Sequence, residues 1–399
     1  MSIFSRKEKR TASRGVYVGT AASYLAAGTE FGVTVTPEAA LKMTAYQAGV
    51  RLIAENIASL PKEVRRDGPR GKESDRKHEA YKAINIRPNA YTNVFDFWFT
   101  LTAWLEYKGN AFALIQRDPE SGRIELHQLD PDWVTVVMVD GHKWFKVECP
   151  DQNRAFLTGT FPDRRVLHFM QFTKDGIVGI NPVLYNAIAL GKGMAIEKLA
   201  ADYYKKGGNI RGVLEYDNSL GDDAYAKFMD HFGSAGNFGT PLLEYGIKYK
   251  QLSVDDITAR LVESEMFSVD DIARMLNIPP HMLAEMSHST FSNIEHQTIQ
   301  FVQYTLRPIV KRLEVELETK LFPASEVHEV KFKLDGLLRG DTAARTAFYH
   351  GAVLDGYMSR NEVRALEGLP FKEGLDDMLY PVNEGVVGKT DTPPATPAE

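Results

Sequence analysis

The sequence predicts an α+β protein organised around one long, kinked helix. Three observations predict it. Residues 293–322 carry Val302, Leu306, Ile309, Leu313, Leu317 and Leu321 at helical spacing, with Pro308 inside the stripe. Between Ala111 and Phe172 the pattern changes to short strands punctuated by turn residues. Residues 210–252 read β-α-β-β and are inserted between two helical stretches, 182–206 and 253–276.

Composition sets the class. The chain has 399 residues, 44% apolar and 25% charged, enough for a buried core and more than one domain. Its formal net charge of −6 excludes a protein that coats itself with nucleic-acid phosphates, so any DNA contact must be local or geometric. A single cysteine, Cys149, excludes an intrachain disulfide and a cysteine-rich zinc site, as suits a reducing cytoplasm. No run approaches eighteen apolar residues, so no transmembrane helix and no membrane partner are expected. Residues 1–35 begin MSIFSRKEKR and read as a flexible basic arm. The apolar stretch after it is too rich in Gly, Thr and Ser for a signal peptide.

The first helix spans 37–60: Thr36-Pro37 supplies a cap and a first-turn proline, and Tyr46, Val50, Ile53, Ile57 and Leu60 follow every three or four residues. KEVRR is a strand, and 67–77 a polar loop. After PNAYTN, Val94, Phe97, Leu101 and Trp104/Leu105 form an aromatic core face, ended by Gly109. AFALIQR, IELHQL, WVTVVMV, HKWFKVE and VLHFMQF then form a meander, with Asp140-Gly141 as a type I′ hairpin signal.

Asn181-Pro182 opens a helix to about Lys206, stopped by Gly207-Gly208. Between it and the next helix, GVLEY is a strand, DDAYAKFMDHF a short helix, and PLLEY and KYKQL a hairpin turned at Gly246. SVDDI occurs at 253–257 and again at 268–272, each copy offering Ser as a helix start or restart with Asp behind it. Asn277 and Pro279-Pro280 stop that helix. The loop HMLAEMSHSTFS (281–292) follows, and Ser292 with Glu295 opens the long helix, which Pro308 should kink at Arg307 or just before. At 1.5 Å per residue that helix would be about 45 Å long. The tail, GKTDTPPATPAE, has the composition of a disordered segment.

Motifs of catalysis are scarce. Gly388-Lys389-Thr390 ends like a phosphate loop, but Asn383 stands where the first glycine belongs and no strand precedes it. The Asp pairs 255/256 and 270/271 suit helix N-termini, where the dipole favours carboxylates. There is no HExxH, and His288 and His296 are eight apart with no third ligand nearby. His168 lies in an apolar strand and reads as a satisfied core residue. No catalytic residue, metal ligand or cofactor site is assigned. Lys205, Lys206 and Arg211 end a helix where cations favour the dipole, and are candidates for contact with DNA or a partner protein. Met282, Met286 and Phe291 are apolar within an otherwise polar loop, either buried by its folding back or projecting from it.

The run IARMLNIPPHMLAEMSHSTFSNIEHQTIQFVQYTLRPIVKRLE, Ile272 to Glu314, resembles the portal (connector) proteins of tailed double-stranded DNA bacteriophages. IPPHML, STFSNIE and YTLRP at fixed spacing carry the resemblance. TAYQAGVRLIAENIASLPKEV, RPNAYTNVFDFW, YKGNAFALI, DGIVGINPV and the segment from Asp335 to Pro370 extend it. The resemblance implies a wing at 36–180, a first stem helix at 181–209, a clip at 210–252 and a second stem helix at 253–276. A channel (tunnel) loop at 277–292, the kinked helix and return to the wing at 293–334, a helical crown at 335–384 and a disordered tail at 385–399 complete it.

It further implies a dodecameric ring at a unique capsid vertex of the virion, assembled in the host cytoplasm, through which DNA is packaged and ejected. The clip would dock the terminase large subunit and later the head-completion adaptor, and the ring would meet the major capsid or scaffolding protein. Met282, Glu285, Met286, Ser287, His288, Ser289, Thr290 and Phe291 would line the channel. The portal would hydrolyse nothing. Two other readings stand beside it: a soluble bacterial α+β enzyme with a helical extension, and a portal-like ring of a gene-transfer particle.

Overall fold

The computed structural model describes residues 16–20, 27–28, 31–68, 71–118, 122–205, 213–215, 223, 225–227, 248–250, 268–283, 297–322, 327–334, 336–337, 342–367 and 369–379. It is mixed helix and sheet, and divides into two compact units, Met1–Lys333 and Leu334–Glu399.

In the first unit the expected 37–60 helix is two helices. Thr36 Oγ1 accepts from the Ala39 amide at 3.0 Å and caps Pro37–Ala40. The chain then breaks, and a second helix runs Thr44–Ser59. The break turns Met43, in extended geometry, into the interior, where it is 2% exposed. The aromatic helix Val94–Lys108 is capped by Asn93, whose Oδ1 accepts from the Asp96 amide at 2.8 Å. It buries Phe97, Trp98, Leu101 and Leu105, and the Trp98 indole donates to the Ile84 carbonyl at 3.0 Å. Gly109 ends it at φ +75°, and a Cβ there would overlap the Ile180 carbonyl, so only glycine fits.

The expected single meander is two sheets. One has the order Val16–Thr20, Val134–Val139, His142–Val147, Gly159–Pro162; the other, Val166–Met170, Asn110–Arg117, Ile124–Leu129. Asp140 and Gly141 both have positive φ, 50° and 78°, as a type I′ turn requires. The Val166–Met170 strand turns back to pair with Asn110–Arg117 because its alternate residues Val166 and His168 join Phe112 and Phe145 inside. Phe112, Leu114, Val134, Val136, Phe145 and Val166 make one core across both sheets. A third sheet joins Lys62–Gly68 to Gly71–Ser74 and to His328–Phe332, the strand that follows the long helix. The polar 67–77 stretch, read as loop, thus contains a strand: its hairpin pairing supplies what its side chains do not advertise.

The expected 182–206 helix is also interrupted. Asn181 Oδ1 accepts from the Val183 and Leu184 amides, but the Asn186 side chain donates to the Pro182 carbonyl at 2.9 Å and the backbone leaves helical geometry. A second helix, Ala187–Lys205, follows. Val213–Glu215 pairs antiparallel with Lys248–Lys250, so GVLEY meets KYKQL; most of the rest of 210–252 lies outside the described residues, as does the PLLEY strand. Ser268 is already within a helix that runs to Leu276, and its Oγ lies where Gly193 leaves room for it. The first SVDDI copy and the Ser292–Glu295 box lie outside the described residues.

In the second unit, Thr342–Leu354 and Arg360–Leu366 are helices. Ser359 and Glu362 form a reciprocal capping box: Ser359 Oγ accepts from the Glu362 amide at 3.1 Å, and Glu362 Oε2 accepts from the Ser359 amide at 2.7 Å. Asp376 Oδ1 accepts from the Asn361 side-chain amide at 2.9 Å.

Candidate functional site

The helix through 268–276 ends in two reversed bonds. The Ile278 amide donates to the Ala273 carbonyl at 2.9 Å and the Asn277 amide to the Arg274 carbonyl at 3.2 Å, with Asn277 left-handed at φ 54°. This is a Schellman ending, in which asparagine takes the position glycine usually holds. Pro279 and Pro280 follow, and Pro280–Leu283 makes a single 3-10 turn before the chain leaves the described residues.

The Asn277 side chain then reaches the long helix. Its Nδ2 donates to the Tyr304 carbonyl at 3.2 Å and to Thr305 Oγ1 at 3.1 Å, and the Thr305 hydroxyl donates back to the Asn277 carbonyl. Pro308 explains the demand. Having no amide, it cannot supply the donor that an α-helix would give Tyr304, four residues earlier. The helix widens instead: Phe301–Leu306 is π-helical, with the Arg307 amide on the Val302 carbonyl, and α-helix resumes at Arg307–Leu321. The kink expected from Pro308 is therefore a change of helical register in the turn preceding it. A cleft of about 440 Å³ opens beside this clasp, between Asp270, Arg274 and Pro279 on one wall and Gln297, Gln300 and Tyr304 on the other.

Below the clasp the long helix is fixed to the sheets. Glu316 Oε1 accepts from the His168 amide at 2.7 Å; Lys320 Nζ donates to the Val166 carbonyl at 2.7 Å and pairs with Glu316 at 2.7 Å and Asp163 at 3.1 Å. Glu314 Oε1 accepts from the Phe332 amide at 3.0 Å, tying the helix to the third sheet. His168 is a satisfied core residue: Nε2 bonds Asn110 Oδ1 at 3.0 Å, and Nδ1 lies 2.8 Å from Lys143 Nζ. The ring is neutral with its hydrogen on Nε2, since Nδ1 accepts from the lysine. Burial, with the charges of Lys143 and Lys320 behind it, holds its pKa well below the usual value, and burial lowers Lys143 to about 8.

Met282 sits in the 3-10 turn, half-buried, its amide on the Pro279 carbonyl at 3.0 Å. Glu285, Met286, Ser287, His288, Ser289, Thr290 and Phe291 lie outside the described residues. Lys205 is the exposed last residue of its helix, while Lys206 and Arg211 lie outside. The structure thus brings together the two flanks of the candidate loop, through Asn277 and Thr305. Sequence reasoning used Asn277 only as a stop signal and missed Thr305 altogether. A usable signal was there: a proline inside a helix orphans a carbonyl four residues back, and a polar side chain must answer it. Among the described residues, no cluster of three His, Cys, Asp or Glu is placed to hold a metal, and no helix is long and apolar enough to cross a membrane.

The structure is a mixed α+β chain whose long helix is bonded to two sheets. Solved structures share the fold. A chain in the neck of an empty gene transfer agent particle, computed with sixfold symmetry, matches at TM-score 0.60 and 20% identity, over 88% of this chain and 98% of that one. A chain in the neck of the native particle, computed with twelvefold symmetry, matches at 0.57 and 20% identity, over 83% and 93%. An HK97-family phage portal protein from Corynebacterium diphtheriae matches at 0.54 and 16% identity, over 77% and 98%.

Sequence relatives give the family. The family model "Phage portal protein" matches residues 44–368. A probable portal protein of Streptomyces phage phiC31 is 30% identical over 91% of this chain and 82% of its own length. The portal protein of Enterobacteria phage HK97 is 27% identical over 86% and 82%. The chain belongs to the phage portal protein family, a structural family of the virion's capsid vertex.

Proposed function

We propose that copies of this chain close into a dodecameric ring through which double-stranded DNA is packaged and later ejected. Family membership over residues 44–368 carries the reading. The clasp supports a place for the loop: Asn277 and Thr305, 28 residues apart in sequence, join the segments on either side of it. In this reading Met282, Glu285, Met286, Ser287, His288, Ser289, Thr290 and Phe291 line the channel. Lys205, Lys206 and Arg211 meet DNA or a partner protein. Residues 210–252 dock the terminase large subunit during packaging and the head-completion adaptor afterwards. The ring also meets the major capsid or scaffolding protein, assembles in the host cytoplasm and catalyses nothing itself.

Charge fits passage better than grip. A channel lined by many cations would hold DNA through counterion release and slow it, whereas a chain of net charge −6 with few local contacts lets it slide. A second reading, the portal of a gene-transfer particle, is favoured by the likeness to particle necks. Sequencing the packaged DNA separates the two: the element's own genome supports a phage, and random host fragments a transfer particle.

The test of the ring is native mass and negative-stain imaging of the full chain, alone and with its capsid and scaffolding proteins. A species of about twelve chains with a central hole is expected. A compact monomer under both conditions would refute it.

A further inference from the structure

Two lysines stand over the ring of Phe145: Lys320 of the long helix at 5.8 Å and Lys143 of the strand His142–Val147 at 5.4 Å. Their surroundings differ. Lys320 meets three acceptors for its three N–H groups, the Val166 carbonyl, Glu316 and Asp163, and is held as a cation. Lys143 is half-buried and has one close acceptor, His168 Nδ1 at 2.8 Å. That acceptor carries no charge. Gly179 fixes the Asn110 side chain, whose Nδ2 donates to the Gly179 carbonyl and whose Oδ1 accepts from the Gly179 amide, each at 2.8 Å. Asn110 Oδ1 therefore also accepts from His168 Nε2, at 3.0 Å, which leaves Nδ1 with its lone pair. No carboxylate pairs with Lys143 among the described residues. Of the acids that act on it from further off, Asp163 and Glu316 are engaged by Lys320, and Asp175 Oδ1 accepts from the Ile177 amide and the Thr173 hydroxyl. An ammonium here has three donors and one neutral acceptor, whereas an amine makes the same bond without burying a charge. Burial accordingly lowers Lys143 to about 8, with Lys320 adding its repulsion.

We infer that Lys143 is a nucleophilic amine and a site of covalent acylation by small activated acyl groups, of which acyl phosphates are the simplest. The Nζ lone pair attacks the acyl carbon and an N–C bond forms. The C–O bond to phosphate breaks, its electron pair leaves with the phosphate, and one amine proton passes to solvent. The product selects the donor. An amide keeps one N–H for His168 Nδ1, whereas the neutral imine formed with an aldehyde has none and would set two lone pairs against each other. Acylation also removes the charge that Lys320 opposes, and it touches none of the bonds that hold Lys320. Lys143, His168 and Lys320 come one each from two sheets and the long helix, so the modified residue lies where the three meet.

At pH 7.5 such an amine is about one-quarter neutral, and an ordinary lysine about one part in a thousand. Lower basicity and partial burial offset part of that difference. The test treats the full chain with acetyl phosphate between about pH 6.5 and 9.5 and reads the rate at each lysine by peptide mass spectrometry. At pH 7.5 Lys143 is expected to acetylate at least tenfold faster than the exposed Lys42 and Lys192. Its rate should be half-maximal near pH 8 and then level off, while theirs keep rising about tenfold per pH unit. In concentrated urea, where the His168 bond and the burial are gone, the advantage should vanish. A folded-state rate at Lys143 no greater than at Lys42 and Lys192 would overturn the proposal. So would a rate that climbs without levelling to the highest pH, or an advantage that survives urea and therefore belongs to the local sequence.

Discussion

The side-chain amide of Asn277 donates to the backbone carbonyl of Tyr304, the carbonyl that Pro308 leaves without its α-helical donor. One bond therefore repairs a defect in the long helix and ties the start of the candidate channel loop to that helix. Because the repair comes from a different segment, the kink and the loop anchor are a single device.

That dependence gives a mutational cycle. Asn277→Gly keeps the left-handed turn but removes the amide, and should cost about 1 kcal/mol for the under-satisfied carbonyl. Asn277→Ala should cost about 1 kcal/mol more, because alanine resists the left-handed region. In a Pro308→Ala background, the restored amide competes for Tyr304, so the Asn277→Gly cost should shrink. Additive costs in chemical denaturation would show that the two residues are uncoupled.

Glu106 predicts a pH dependence. It is fully buried, its Oε2 accepts from the Gln171 amide at 2.7 Å, and its Oε1 has no hydrogen-bond partner among the described residues. Burial raises its pKa from 4.5 to about 7, against the opposing pull of Arg312 and the Gln171 bond. The native state thus holds a proton that the unfolded chain releases near 4.5. Its contribution is complete below that pH and is lost as pH rises through about 7, roughly 3 kcal/mol in all. Glu106→Gln should melt higher than wild type at pH 8 and level with it at pH 4. A pH-independent difference between the two melting curves would contradict this.

Gly109→Ala should be among the most damaging single changes. It forces alanine to φ +75° and drives its Cβ into the Ile180 carbonyl, a backbone atom that cannot swing aside. A loss of at least about 2 kcal/mol is expected, read as lower soluble yield and melting temperature. Gly122→Ala, at a similar φ of +68° but with open space around its Cβ position, is the control and should cost only the backbone strain.

Shortening the candidate loop should separate folding from function. Deleting Ser287–Ser289 leaves Asn277, Thr305 and the Pro280–Leu283 turn untouched, so the melting temperature and native mass should not change. Packaged DNA per particle should fall or its rate of passage change. Normal packaging by the deletion would remove those residues from the channel's function.

Much of the fold was written in local sequence because its causes are local. Asn93 and Gly109 bound a helix, Asp140-Gly141 a hairpin, and Ser359 with Glu362 a capping box, each through bonds within a few residues. Interruptions were less legible. Met43 and Asn186 break two helices whose apolar spacing continues straight across the break, because spacing reports which face is buried and not whether the backbone is continuous. The strand Gly71–Ser74 was hidden for the converse reason: its ladder bonds to Lys62–Gly68 do not require apolar side chains.

The candidate site divides in the same way. Residue types along the chain carry the family and the disturbance at Pro308, since a motif and a missing amide are local properties. That Asn277 answers the missing amide, and that Glu316 and Lys320 hold the helix to the sheets, follows from the packing in space. A hydrogen bond between residues 277 and 304 depends on where two helices lie in space, and no spacing along the chain encodes that.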